Sequence, residues 1–180
     1  MEILQHDGKT YYYDGRLFCD EFFIILEGEE LRNVAQAYFG ATPYKTLDSN
    51  GLLNRIKQMK ACGMYYETSK VIEYAFEKMG KDMQLLYTIL PIYTSCCREI
   101  NQPQRGINCA EKLLPICGGS VATYTSLAAA YCDVKEYEKA KKCARIAYAK
   151  QGGGQGYKTE VSLVFKRLEK ETGDQFYNEE

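Results

Sequence analysis

The side chains that most often carry catalysis are few in this 180-residue chain and are widely spaced. Its single histidine is His6, so a Ser-His-Asp or Cys-His mechanism would have to use a residue near the chain terminus. A loosely packed or exposed histidine is the better interpretation. Four carboxylates could in principle gather into an acid–base or cation site, although the aspartates also suit turns and helix starts; they are Asp7, Asp14, Asp20 and Glu21.

Eight cysteines offer thiol chemistry, but their spacing is not that of a metal or disulfide site. No two of them form a Cys-x-x-Cys pair, which disfavours structural zinc. Most lie at apolar positions of helical patterns, where a thiol behaves as a small hydrophobe. The adjacent pair Cys96-Cys97 could form a strained disulfide, but neighbouring helical residues point about 100° apart and favour packing instead.

Phosphate-binding loops are not indicated either. The glycine-rich stretch from Gly152 to Gly156 could hold an anion before a helix, but it lacks the Lys-Ser/Thr of a nucleotide loop. A connector between helices is the better interpretation. The sequence therefore predicts a protein that is not an enzyme and has no catalytic residues, no metal and no cofactor.

Charge and hydropathy narrow the class of partner. The formal net charge is −1, which argues against a general nucleic-acid binder. Residues 1–30 carry a net −6 and the remainder +5, so a charged partner could be steered, or the acids could simply be solvated. Neither an apolar leader nor a run long enough to span a bilayer is present; the strongly apolar run Phe22–Leu26, for example, has only five residues. We expect a cytoplasmic protein that does not bind membranes.

The first part of the chain has strand and turn signals. Asp7-Gly8 and Asp14-Gly15 are hairpin-turn dipeptides, flanked by Tyr11–Tyr13 and Leu17–Phe18. Residues 1–28 are therefore predicted to form a small β-hairpin or meander. Residues 29–48 follow as a helix that starts at two glutamates and ends at Gly40, and then a linker with Asp48 or Ser49 as the next helix cap.

Residues 49–154 contain an internal repeat. Placing Gly106 over Ala140 gives an offset of 34 residues, and several other positions then coincide: Leu90 with Tyr124, Cys97 with Tyr131, Pro103 with Tyr137, Ala110 with Ala144 and Leu113 with Ala147. A weaker unit, about four residues longer, precedes these. It has Leu52, Ile56 and Met59 in its first helix, Gly63 and Tyr65 at the turn, and Thr68, Ile72 and Ala75 in its second helix.

This period and these columns resemble the tetratricopeptide repeat family. The resemblance implies a mainly α fold, a right-handed α-α superhelix of helix pairs over 49–86, 87–120 and 121–154. A capping helix over 155–172, with Val161, Val164, Phe165 and Leu168 on one stripe, and a tail over 173–180 would follow.

In the family, the first helices of successive units line a concave groove that holds a peptide or protein partner. Carried over by column, the resemblance assigns to the partner-binding groove Asn50, Leu53, Lys57, Lys60, Thr88, Pro91, Ser95, Arg98, Glu99, Thr125, Ala129 and Asp133. The capping helix could add Thr159, Glu160, Lys166 and Arg167. Lys57, Lys60 and Arg98 would make a modest cationic strip, which favours an acidic or extended peptide. The basic clamp that some family members use for a carboxyl terminus is absent, because its columns hold Leu53, Lys57, Ile92, Ala122 and Ser126.

The sequence thus favours a protein–protein interaction module, a scaffold or adaptor, with a protein or peptide partner. Two other hypotheses stay open. The acidic N-terminal region could serve an enzyme or ligand sensor, with the repeats as scaffold, or the open edge of the repeat array could make homo-oligomers.

Overall fold

The chain is mainly helical and has one small antiparallel sheet. A computed structural model describes residues 1–152 and 160–174, and in them the chain forms three strands and eight helices. Internal contacts divide the chain into two compact units, Met1–Met79 and Gly80–Glu180.

The first unit begins with the predicted β-meander. Strands β1 (Glu2–His6), β2 (Lys9–Tyr13) and β3 (Phe18–Cys19) lie in the order β1-β2-β3, with both pairs antiparallel. The β1–β2 turn has positive φ at Asp7 and Gly8, 49° and 75°, as a two-residue hairpin requires. Leu17 was expected in β3 but lies in the preceding turn, because its backbone N–H is bonded to the Asp14 carboxylate at 2.7 Å.

The sheet buries one face against helix α1 (Gly28–Ala41). Successive strand residues point to opposite faces, so Tyr11 and Tyr13 are buried while Tyr12 lies on the other side. The Tyr13 ring stacks on Phe18 at 4.2 Å between centroids, and Phe18 meets Phe39 of α1 edge-on at 6.0 Å. This aromatic cluster supplies much of the apolar core that so short a sheet needs.

Helix α1 continues past the predicted end at Gly40 and stops after Ala41. The next residue, Thr42, has extended backbone with φ −107° and ψ 105°. Thr42 precedes Pro43, and the proline ring disfavours helical backbone in the residue before it. The stop signal is therefore the proline rather than the glycine.

Helices α2 (Ser49–Ala61) and α3 (Tyr65–Lys78) complete the first unit. Asp48 caps α2 as predicted, and its side chain accepts a hydrogen bond from Gly51 N at 2.8 Å. The second unit contains the other five helices: α4 (Met83–Glu99), α5 (Pro103–Cys117), α6 (Val121–Asp133), α7 (Tyr137–Lys150) and α8 (Glu160–Thr172). Helix α4 begins four residues before the predicted start of the second pair.

The same turn joins α2 to α3, α4 to α5 and α6 to α7. Each turn has a residue with positive φ, namely Gly63, Asn101 and Lys135, which are 38 and 34 residues apart. In each turn the next backbone N–H bonds to a carbonyl five residues back: Met64 to Met59, Gln102 to Cys97 and Glu136 to Tyr131. This is the Schellman end of an α-helix. The sequence repeat thus corresponds to a repeated helix–turn–helix.

Equivalent positions are also buried in the same way. Ile56, Thr94 and Ala128 in the first helices are fully buried, and so are Thr68 and Ala140 in the second helices. Gly106, the counterpart of Thr68 and Ala140, lies close to the α4 backbone, since a Cβ added to it would be 3.1 Å from Thr94 Cα. The described part of the chain therefore has a helical repeat-like architecture.

Helix α8 packs against α6 and α7. Its predicted stripe of Val161, Val164, Phe165 and Leu168 is buried. The predicted start of this helix at residue 155, part of the glycine-rich connector and the tail beyond Asp174 lie outside the described residues.

Candidate functional site

The N-terminal carboxylates form no group of three or more among the described residues: Asp14 and Asp20 each bond to their own turn, and Glu21 is exposed. Asp14 accepts hydrogen bonds from Leu17 N and Arg16 N. These bonds, the one from Leu17 most of all, lower the pKa of Asp14 below its usual value. Asp20 accepts bonds from two backbone N–H groups of the next turn. His6 Nε2 is 3.5 Å from Asp7 Oδ2, at the tip of the β1–β2 hairpin.

The cysteines lie where apolar packing would place them. None of the eight is in a disulfide, and five are buried: Cys62, Cys96, Cys97, Cys132 and Cys143. Burial raises the pKa of the Cys62, Cys132 and Cys143 thiols to about 11. Residues 1–152 and 160–174 contain no group of three or more His, Cys, Asp or Glu side chains that could hold a metal ion.

The predicted groove residues fall into two sets. Asn50, Leu53, Lys57 and Lys60 lie on α2 in the first unit, where Asn50 and Lys57 are exposed and the other two are half-buried. The second unit holds the remaining eight, on α4 and α6: Thr88, Pro91, Ser95, Arg98, Glu99, Thr125, Ala129 and Asp133.

Helices α4, α6 and α8 share a face with two adjoining cavities, which we call the α4/α6/α8 face. One cavity of about 280 Å³ is lined by Ser95, Arg98, Thr125, Ser126, Ala129, Glu160, Leu163, Val164 and Arg167. The other, of about 570 Å³, is lined by Arg98, Glu99, Asn101, Pro103, Asp133 and Arg167. Six of the eight predicted residues on α4 and α6 therefore lie together here, whereas Thr88 and Pro91 line neither cavity.

A carboxylate between two guanidinium groups joins the three helices. Asp133 of α6 accepts from Arg98 Nε of α4 and from Arg167 Nη1 of α8, each at 2.6 Å. Arg167 Nε also donates to Glu171 at 2.6 Å. Burial of Asp133 opposes its ionisation, but the hydrogen bonds from both arginines outweigh that cost and lower its pKa. Arg98, expected in a cationic strip, is thus paired with a carboxylate, and the face carries mixed charge.

Two features of this face were not expected to belong to the groove. Val164 was assigned only to the buried stripe of α8, and Leu163, 60% exposed, belonged to no predicted pattern. Of the residues predicted from the capping helix, Glu160 and Arg167 line these cavities and the exposed Lys166 lines neither, whereas Thr159 lies outside the described residues. No local sequence signal marks Leu163, since its role depends on how α8 packs.

Comparison of the chain with protein-family models, with curated proteins and with solved structures gave no match. Among the helices of the described residues, none combines the length and the apolar character needed to cross a bilayer.

Proposed function

We propose that this chain is a non-enzymatic protein-interaction module, and that the α4/α6/α8 face holds an extended segment of a partner protein. The observation that carries the proposal is the pair of adjoining cavities, which three helices line with hydroxyl, guanidinium and exposed apolar groups. Clefts of this kind, with a few fixed polar groups beside apolar surface, are typical binding sites.

The ion-pair network supports the proposal because it orients N–H donors on this face. Asp133 uses both carboxylate oxygens on the two arginines, and this fixes the guanidinium planes. An arginine has five N–H donors, and Arg167 uses its Nε and Nη1 atoms in these pairs. The guanidinium group of Arg167 is therefore already oriented, and its remaining N–H groups can donate to a backbone carbonyl or a carboxylate of the partner with little loss of conformational entropy.

The helix pairs are proposed to be tetratricopeptide-type units stacked as a right-handed superhelix. Support comes from the 34-residue spacing of the Asn101 and Lys135 turns and from the small buried residues at equivalent positions. In such an array, the first helices of the pairs would present their free faces on one side. This agrees with the location of the two cavities on α4 and α6.

The test is capture of partners by the purified chain and by a variant that blocks the face. Ser126→Tyr places a ring in the smaller cavity, while Lys142→Tyr adds the same ring at an exposed position of α7. Partners should be lost with Ser126→Tyr and retained with Lys142→Tyr, with both variants checked for folding by far-UV circular dichroism. The binding segment of a recovered partner can then be titrated as a synthetic peptide.

Equal recovery with the wild type and with Ser126→Tyr would refute the assignment of this face. Lys57→Glu tests separately whether the exposed lysine of α2 also contacts the partner. If Lys57→Glu and Ser126→Tyr each weaken the same complex, the predicted groove includes both sets of residues.

A further inference from the structure

The first unit displays four consecutive apolar residues to solvent. They are Phe22–Ile25, which we call the apolar tip, and their exposed fractions in chain order are 73%, 60%, 64% and 52%. Exposed apolar runs of three or four residues are unfavourable on a protein surface unless something covers them. We therefore expect a binding partner to cover this tip.

The tip is held in a hydrogen-bonded turn by Asp20, which lies two residues before Phe22. Asp20 accepts hydrogen bonds from Phe22 N at 2.9 Å and Ile24 N at 2.8 Å, and its own backbone N–H donates to Ile24 O at 3.0 Å. Phe23 has a positive φ of 61°, which is strained for an aromatic residue, and its ring stacks on Tyr12 at 4.8 Å. The turn is thus preorganised to present Phe22 and Ile24 outward.

The same unit has an apolar pocket of about 560 Å³ between α1, the α1–α2 loop, α2 and α3. Phe39, Met59, Met64 and Val71 contribute to it, and all four are otherwise buried. Methionine side chains adapt readily to the shape of an incoming apolar group. The loop wall is fixed by a hydrogen bond from Tyr74 Oη to the Lys45 carbonyl at 2.8 Å.

A glycine keeps this pocket open. Gly40 lies inside α1 and lines the pocket, and a Cβ added to it would meet nothing within 4 Å. Glycine destabilises a helix relative to alanine, and the backbone here does not require it, because the φ of Gly40 is not positive. The missing side chain leaves space for an apolar group from outside.

Charge links the tip to the pocket. Glu21 and Glu27 flank the tip and are exposed, whereas the pocket lining contains Lys45, Lys70 and one glutamate. Lys70 Nζ also lies 3.4 Å from Glu73 Oε2 in an exposed ion pair, so Lys45 is the main cation that the pocket offers to the tip. We propose that the apolar tip of one copy of this chain inserts into the pocket of a second copy. This contact is separate from the α4/α6/α8 face and does not depend on it.

A lipid surface is the other class of occupant for an exposed apolar turn. The charge argues against it, because residues 1–30 carry a net −6 and the cytoplasmic leaflet of a membrane is negative. A second copy brings apolar cover and the opposite charge together. Binding of the chain to lipid vesicles through this tip would therefore overturn the proposal.

The test is analytical ultracentrifugation of the full chain over a wide concentration range, with one variant for each partner surface. Phe22→Ser/Ile24→Ser removes the tip, and Gly40→Leu fills the pocket. The matched controls are Gly40→Ala and Ile116→Ser, since Ile116 of α5 is also an exposed apolar residue, at 60%. The wild type and both controls should self-associate, and each test variant should raise the dissociation constant at least about tenfold. Added salt should weaken the wild-type complex.

Mixing the two test variants gives the sharpest result. The tip variant keeps an open pocket and the pocket variant keeps an intact tip, so the mixture should form a one-to-one complex that neither variant forms alone. If Gly40→Leu fails to fold, Lys45→Glu with Lys70→Glu replaces it. A wild type that stays monomeric, a pocket variant that still associates, or tip-dependent sedimentation with phosphatidylcholine or phosphatidylserine vesicles would each overturn the proposal.

Discussion

Substitution of Gly106 tests the close approach of the helices on which the repeat depends. Gly106 is at the start of α5, and a Cβ there would be 3.1 Å from Thr94 Cα and 3.2 Å from Cys97 Cβ. The nearest atom belongs to the backbone of α4, which cannot rotate away as a side-chain end would. A larger residue must therefore push α4 and α5 apart.

The expected magnitude follows from two opposing effects. Replacing a helical glycine by leucine improves helix propensity by up to about 1 kcal/mol. Forcing a leucine side chain against the α4 backbone costs about 3 kcal/mol, the upper end for overpacking. Gly106→Leu should thus lower the free energy of unfolding by roughly 2 kcal/mol. Gly106→Ala adds only the Cβ, so its propensity gain and its tight contact should nearly cancel.

Urea denaturation followed by far-UV circular dichroism, at a concentration where the chain is monomeric, measures this change, and Gly40→Leu is the matched control. Gly40 is also inside a helix, but a Cβ there meets nothing within 4 Å, so leucine should be neutral or stabilising. A Gly106→Leu protein as stable as the wild type would refute the proximity of α4 and α5. Equal destabilisation by both leucines would show that the effect is not specific to Gly106.

Three further predictions concern single side chains. Tyr13→Phe should keep or raise the unfolding free energy by up to about 2 kcal/mol, because the buried Tyr13 hydroxyl has no hydrogen-bond partner in the described structure; a clear loss would contradict this. Asp48→Ala should cost about 1 kcal/mol through loss of the α2 cap, whereas Asp48→Ser should restore most of it; equal stability of all three would rule out the cap. Asp133→Asn should cost roughly 1 kcal/mol at neutral pH, the modest value expected of a partly exposed ion pair.

The Asp133 prediction has a definite pH dependence. The pKa of this carboxyl is lower in the folded chain than its ordinary 3.8, so the folded state holds the ionised form more strongly. Its contribution to stability is therefore full above that ordinary value and is lost as pH falls toward the folded pKa. The difference in stability between wild type and Asp133→Asn should shrink over that acidic range. A constant difference across it would contradict the ion pair with Arg98 and Arg167.

The helical repeat could be predicted because its signal is local. Turn residues such as Gly63 and small residues such as Gly106 and Ala140 mark where a chain must bend or approach closely, and they recur along the sequence. The Asp7-Gly8 hairpin was found for the same reason, since positive φ at both positions selects those residue types.

The contacts and exposures that the sequence did not predict depend on which helices and strands pack against each other. Arg98 and Asp133 are 35 residues apart, and only the packing of α4 beside α6 shows that they pair. The exposure of Phe22–Ile25 was also not predicted, because an apolar run usually indicates a buried segment. Its outward direction is set by the hydrogen bonds of Asp20, which the composition of the run does not reveal.

The buried thiols have a practical consequence for measuring how this protein opens. Cys62 is in the first unit and Cys132 and Cys143 are in the second, and burial keeps the pKa of all three near 11. Only a thiolate reacts quickly with an alkylating reagent, so these sites should stay silent at neutral pH until their helices separate. The rate of labelling at each cysteine would then report the opening of each unit within the unmodified natural chain.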